Sequence, residues 1–87
     1  MNKYERTPEY VIDLHGYTTS EAEGMLRALL KNREYSHVRI IVGKGSHSAN
    51  GPVLRDFVKR YLGARNVRFN QSKPKDGGEG ALEVFLT

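Results

Sequence analysis

The 87-residue sequence predicts an α/β fold, more closely an α+β two-layer sandwich, in which a mixed four-stranded sheet carries two helices on one face. Three observations predict it. Short β-branched runs alternate with two segments whose apolar residues recur at helical spacing. Each helical segment opens on a start signal. The last two strands follow one another with only a loop between them. The element order is therefore βαβαββ. Two right-handed crossovers between parallel strands place both helices on the same face, and a hairpin closes the sheet.

Taken in order, residues 1–9 are a polar lead-in and residues 10–87 form the domain. Tyr10–Leu14 is a short apolar strand that stops at His15-Gly16. Thr18-Thr19-Ser20-Glu21 is a capping box, in which the Thr18 hydroxyl accepts from the Glu21 amide and the Glu21 carboxylate reaches back. Ala22, Met25, Leu26, Leu29 and Leu30 then form the core stripe of a helix that fades near Asn32–Arg33. His37–Val42 is the second strand, with Val38, Ile40 and Val42 on one side. After a loop from Gly43 to Gly51, Pro52 opens the second helix, where a missing amide proton costs nothing. Val53, Leu54, Phe57, Val58, Tyr61 and Leu62 are its stripe, and Gly63 is the expected stop. Val67–Phe69 is the third strand, Gln71–Gly80 a loop, and Ala81–Leu86 the last strand.

Composition bounds the function. An apolar fraction of 38% with 28% charged residues describes a folded domain, without the apolar run of roughly 20 residues that a bilayer demands. The opening stretch MNKYERTPEY does not read as a signal-peptide core. The absence of cysteine rules out disulfides and thiolate chemistry and fits a reducing, cytoplasmic setting. Charge is uneven: residues 1–34 carry five Lys/Arg against six Asp/Glu, and residues 35–87 carry nine against four. Arg55, Lys59, Arg60, Arg65, Arg68, Lys73 and Lys75 stand against a single acid, Asp56, over that stretch. Such a cluster attracts a polyanion without reading its sequence, although it also describes a solvated helix face. Nucleic acid is the expected partner, with no membrane, and the domain is expected to be a monomer.

In open α/β sheets, ligands gather beyond the carboxyl ends of the parallel strands. Two turns are expected at that edge. The first holds Asp13 and His15, two residues apart on one side of an extended backbone. A carboxylate beside an imidazole fixes its tautomer and prepares an acid or base, though Asp after a strand is also a common amide cap. Gly16 lets the chain turn there. The second turn, Gly43-Lys44-Gly45-Ser46-His47-Ser48, is a candidate phosphate nest ahead of a helix start, or else a plain connector. It matches neither the dinucleotide fingerprint nor the Walker loop. The third loop, with Lys73, Lys75, Gly77 and Gly78, is a hairpin turn or a place to lay lysines along a backbone. Tyr17, beside the first turn, is a packed tyrosine or a base-stacking one. No dedicated metal spacing appears, but Asp13 with His15 or His47 can hold Mg2+ or Mn2+ loosely through waters.

These residues together resemble the Smr (small MutS-related) domain. Val11-Ile12-Asp13-Leu14-His15-Gly16 with Thr18 and Glu21-Ala22 is similar to its first signature. Gly43–Ser48 with Gly51 and Val53-Leu54 is similar to its second, and Gly77–Ala81 to its C-terminal glycine turn. The resemblance implies a fold similar to the C-terminal domain of a bacterial translation initiation factor. It also implies nucleic-acid binding with nicking endonuclease activity on DNA or RNA, as in MutS-like proteins and in ribosome-rescue factors that cut mRNA. Asp13 and His15 map onto its proposed catalytic Asp-Leu-His-Gly motif, with His47 as a possible second acid or base. Gly43, Lys44 and Gly45 map onto the His/Thr-Gly-x-Gly motif. Val42 stands where the family often has His or Thr, so a polar group is expected to be missing from the site. A non-catalytic nucleic-acid or ribosome-binding module is the alternative.

Overall fold

A computed structural model describes residues 7–43, 51–76 and 78–86 of the chain. The elements are β1 (Tyr10–Asp13), α1 (Thr19–Asn32), β2 (His37–Ile41), α2 (Gly51–Ala64), β3 (Arg68–Gln71) and β4 (Ala81–Phe85), with 3-10 turns at Pro74–Asp76 and Gly78–Gly80. The predicted βαβαββ order holds.

The sheet order is β1-β2-β4-β3. β1 pairs parallel with β2, while β4 runs antiparallel to both β2 and β3. The first crossover therefore joins neighbours, and the second steps over the place that β4 later fills. β1, β2 and β3 all run the same way. Their carboxyl ends, and the connections that leave them, share one edge of the sheet.

Strand alternation divides the side chains between two faces. Ile12, Leu14, Val38, Ile40, Val42, Leu82, Val84 and Leu86 join Ala22, Leu26 and Leu29 of α1 and Leu54, Val58, Tyr61 and Leu62 of α2 in one core cluster. Both helices thus cover the same face. Truncating a fully buried member such as Leu26 to alanine removes about 2–5 kcal/mol. Two expected core residues stay at the rim: Met25 is 38% exposed and Val53 54%. Each lies at the border of its helix's apolar arc. Met25 instead lines a groove with Ile12, Ala28, Leu29, Asn32, Glu34 and Tyr35.

Local chemistry sets the helix ends. Glu21 N donates to Thr18 Oγ1 at 3.1 Å and Thr18 N to Glu21 Oε1 at 2.9 Å, completing the capping box. The second helix does not stop at Gly63. It runs to Ala64, and the left-handed residue is Asn66, at φ 57°. Val67 N donates to Leu62 O and Asn66 N to Gly63 O, the two bonds of a Schellman motif. Buried Val67 packs in the same cluster as Leu62, so β3 starts one residue later than expected, at Arg68.

The lead-in is anchored at its end. Glu9 N donates to His37 O at 2.8 Å, and the Glu9 carboxylate accepts from Ser36 N, Ser36 Oγ and His37 N. No described helix is long and apolar enough to cross a membrane.

Candidate functional site

Asp13 ends β1 with its side chain on the helix-free side, since Ile12 and Leu14 take the core positions around it. The chain then turns: Tyr17 N donates to Leu14 O at 2.9 Å, and Gly16 at φ 82° supplies the positive angle of a type II turn. That turn folds His15 back on Asp13. One carboxylate oxygen, Oδ1, accepts from the His15 amide at 3.0 Å and lies 2.6 Å from the ring Nδ1. A carboxylate only accepts, so Nδ1 carries a proton, and in the neutral ring the lone pair is on Nε2. The hydrogen bonds from the His15 ring and amide hold the Asp13 carboxyl below the ordinary aspartate value. Asp13 is therefore ionised at neutral pH. Both side chains are open to solvent, His15 at 71% and Asp13 at 50%. Tyr17 packs partly buried against the core, the ordinary reading of that residue.

The second turn reaches the same place. Gly43 follows β2 at φ 80°, and a Cβ added there would stand 3.5 Å from the His15 Cβ. The turns after β1 and β2 are in contact. The Gly43 amide is not free for a phosphate, because it donates to Gly80 O at 3.0 Å, as does Val42 N at 2.8 Å. A nest must draw on amides beyond Gly43. Lys44, Gly45, Ser46, His47 and Ser48 lie outside the described residues, as does Gly77. Val42 is 1% exposed within the core cluster. Strand alternation turns it toward the helices, away from Asp13, so the position expected to rob the site of a polar group is a packing position.

Gly80 also brings in the third loop. Its carbonyl ties the β3–β4 connection to the second turn, and Gly78 N donates to Lys73 O at 3.0 Å within that connection. Lys73, Lys75 and Gly78 thus share the edge with Asp13, His15, Gly16 and Gly43. Lys73 and Lys75 are exposed. The remaining cations do not form one stripe with them. Arg55, Lys59 and Arg60 ride on α2, in the helix layer, with Arg55 4.0 Å from Asp56. Arg65 folds onto Tyr61, its guanidinium 3.6 Å from the ring centre and donating to Tyr61 O. Arg68 lies on the other side of the sheet, 5.1 Å from the Phe85 ring centre. Residue counting along the chain could not separate these groups, because strand alternation and helix rotation assign them to different faces.

One cluster went unread in the sequence. Glu83, 8% exposed in the middle of β4, accepts from Arg39 Nε at 2.7 Å and from the Ser72 hydroxyl, and pairs with His37 Nε2 at 2.6 Å. Burial pushes its carboxyl up, but the bonds from Ser72, Arg39 and His37 outweigh that and hold it below the ordinary glutamate value. The available signal was a lone acid inside an apolar strand, which demands partners. Among the described residues, no group of three or more His, Cys, Asp or Glu is placed to hold a metal ion. Of the residues expected to hold Mg2+ or Mn2+ loosely, Asp13 and His15 are described and adjacent, and His47 lies outside the described residues.

Comparison with known proteins bears on the family and the fold. The family model of the Smr domain matches residues 12–87. The chain is 37% identical over 82 residues to the endonuclease MutS2 of Carboxydothermus hydrogenoformans, covering 86% of this chain and 10% of that protein. It is 25% identical over 88 residues to the ribosome rescue factor SmrB of Tolumonas auensis, covering 99% of this chain and 49% of that protein. The chain spans less than half the length of the curated relatives it matches. Among solved structures, the Smr domain of Thermus thermophilus MutS2 superposes with a TM-score of 0.76 at 28% identity, covering 90% of this chain and 98% of that one. By sequence model and by fold, the chain belongs to the Smr domain family.

Proposed function

We propose that this Smr domain binds nucleic acid and cuts a phosphodiester bond at the edge where its first two turns meet. The observation that carries the reading is the Asp13 to His15 Nδ1 hydrogen bond of 2.6 Å, which leaves Nε2 as a solvent-facing base. On RNA, Nε2 takes the proton of the 2′-hydroxyl while its oxygen bonds to phosphorus and the bond to the 5′-oxygen breaks. The imidazolium, stabilised by Asp13, then supplies the proton to the departing oxygen. The products are a 2′,3′-cyclic phosphate and a 5′-hydroxyl. On DNA an outside water must attack, and a divalent ion such as Mg2+ or Mn2+ would help generate the nucleophile. Lys44 and the loop amides from Gly45 onward grip the phosphate in this reading, and Lys73 and Lys75 hold the flanking backbone. The approach of Gly43 to His15 supports that division of labour. The names of the relatives support both settings, an endonuclease and a ribosome rescue factor.

The test incubates wild type and His15→Ala with single-stranded RNA, duplex DNA and branched DNA, with and without EDTA. Cutting by the wild type that His15→Ala loses, with binding retained, is the expected result. EDTA resistance on RNA and EDTA sensitivity on DNA separate the two chemistries. A variant that cuts at the wild-type rate ends the acid–base assignment.

A further inference from the structure

We propose that Glu83 is a positioning residue for the nucleic acid: its buried carboxylate, through the Ser72 hydroxyl, fixes the Lys73–Lys75 turn against the edge that carries Asp13 and His15. The inference rests on the reading above for what that edge binds, and it adds a residue that touches neither the phosphate nor the reacting atoms.

A carboxylate in the middle of a sheet is costly to bury, and an apolar replacement for such a cluster is often neutral or stabilising. Stability alone is thus a weak reason for Glu83, Arg39, His37 and Ser72 to meet. Their placement supplies a better one. Ser72 is the residue before Lys73; it is 3% exposed, with its hydroxyl on Glu83 Oε2 and its amide on Ala81 O at 3.1 Å. Gly78 N closes the turn from the other end on Lys73 O, and Gly80 O receives Val42 N and Gly43 N. The two exposed lysines are therefore held on a short connection clamped at both ends. One clamp is the Glu83 carboxylate, and the other is the glycine turn bonded to Gly43, beside His15.

The cluster extends to a second cation. His37, on the Oε1 side of Glu83, stacks on Phe85 with ring centres 5.0 Å apart, and Arg68 lies over that same ring. His37, Phe85 and Arg68 are register partners across β2, β4 and β3. One buried acid thereby braces the lysine turn that follows β3 and, through His37 and Phe85, the setting of Arg68 at the start of β3, away from the edge that carries Asp13 and His15.

The test uses Ser72→Ala, which removes one hydroxyl from a buried position, with Ser72→Thr as its rescue and Glu83→Gln beside it. Binding of a labelled single-stranded oligonucleotide is followed by anisotropy over a salt series, and the cutting rate is read at saturating protein. Ser72→Ala is expected to weaken binding roughly three- to tenfold and to flatten the slope of log affinity against log salt by about 0.7 for each phosphate no longer neutralised. The cutting rate at saturation stays at the wild-type value, and Ser72→Thr restores affinity and slope. Wild-type affinity and slope in Ser72→Ala overturn the proposal. Weaker binding with an unchanged slope also overturns it, because that marks general loosening instead of lysines released from the backbone. His15→Ala, run alongside, reports on the cutting chemistry alone: its retention of full activity would sink the endonuclease reading whatever Ser72 does.

Discussion

Replacing Asp13 with asparagine separates the charge of that side chain from its shape. The amide oxygen of the variant side chain can still accept from the His15 amide and from Nδ1, so the tautomer and ring orientation persist. What disappears is the negative charge beside an imidazolium that forms only during the reaction. At about 4 Å a unit charge pair is worth about 1 kcal/mol in bulk water and about 4 kcal/mol at an effective dielectric of 20. The pair is half open to water, so the loss belongs toward the lower end of that range. The cutting rate should fall about 10-fold and no more than about 10³-fold, short of the ~10⁴ seen when a buried triad aspartate is neutralised. Binding should hold or tighten slightly, because an anion has left the phosphate's neighbourhood. Single-turnover cutting with protein in excess reads the rate apart from affinity. An unchanged rate in Asp13→Asn would refute the pairing as a source of catalysis, and a loss confined to affinity would move Asp13 into substrate binding.

Two further predictions concern the scaffold. Asn66→Ala should lower stability by about 1 kcal/mol, roughly 4–8 °C in Tm, because alanine resists the left-handed angle that ends α2; Gly63→Ala, inside the helix with open space around it, should instead raise stability by about 0.5–1 kcal/mol, and thermal unfolding with the opposite ranking would restore Gly63 as the stop. The folded-state carboxyls of Glu83 and Asp13 lie below their unfolded values, so their stabilisation is complete above the unfolded range near ~4 and drains as pH falls through the folded values. Urea unfolding should give stability that declines below about pH 4.5, with Glu83→Gln lower at neutral pH and flatter in acid; parallel curves for the two proteins would show that Glu83 does not drive the acid limb.

Much of the local structure is legible along the chain. Thr18 and Glu21 announce α1 because the capping box lies within four residues, and the Val38-Ile40-Val42 alternation announces β2 for the same local reason. Asp13 and His15 are legible as a pair because two positions along a strand share a side. The end of α2 misleads because glycine is the commoner left-handed residue, while the asparagine three positions on has Val67 beside it to seal the turn. The basic run misleads because seven cations close in sequence are dealt to a helix, a strand and a turn that face different ways.

Local patterning by itself determined the element order, the capped start of α1, the covered face of the sheet and the carboxylate–imidazole pair, since each depends on interactions only a few residues long. Tertiary structure alone decided that β4 enters between β2 and β3, a matter of pairing between strands far apart in the chain. From that insertion follow the Gly80 bridge to Gly43, the placing of Lys73 and Lys75 at the same sheet edge as His15, and the meeting of Glu83 with His37, Arg39 and Ser72. Hydrogen-bond partners across a sheet are set by register, and register is a property of the assembled strands.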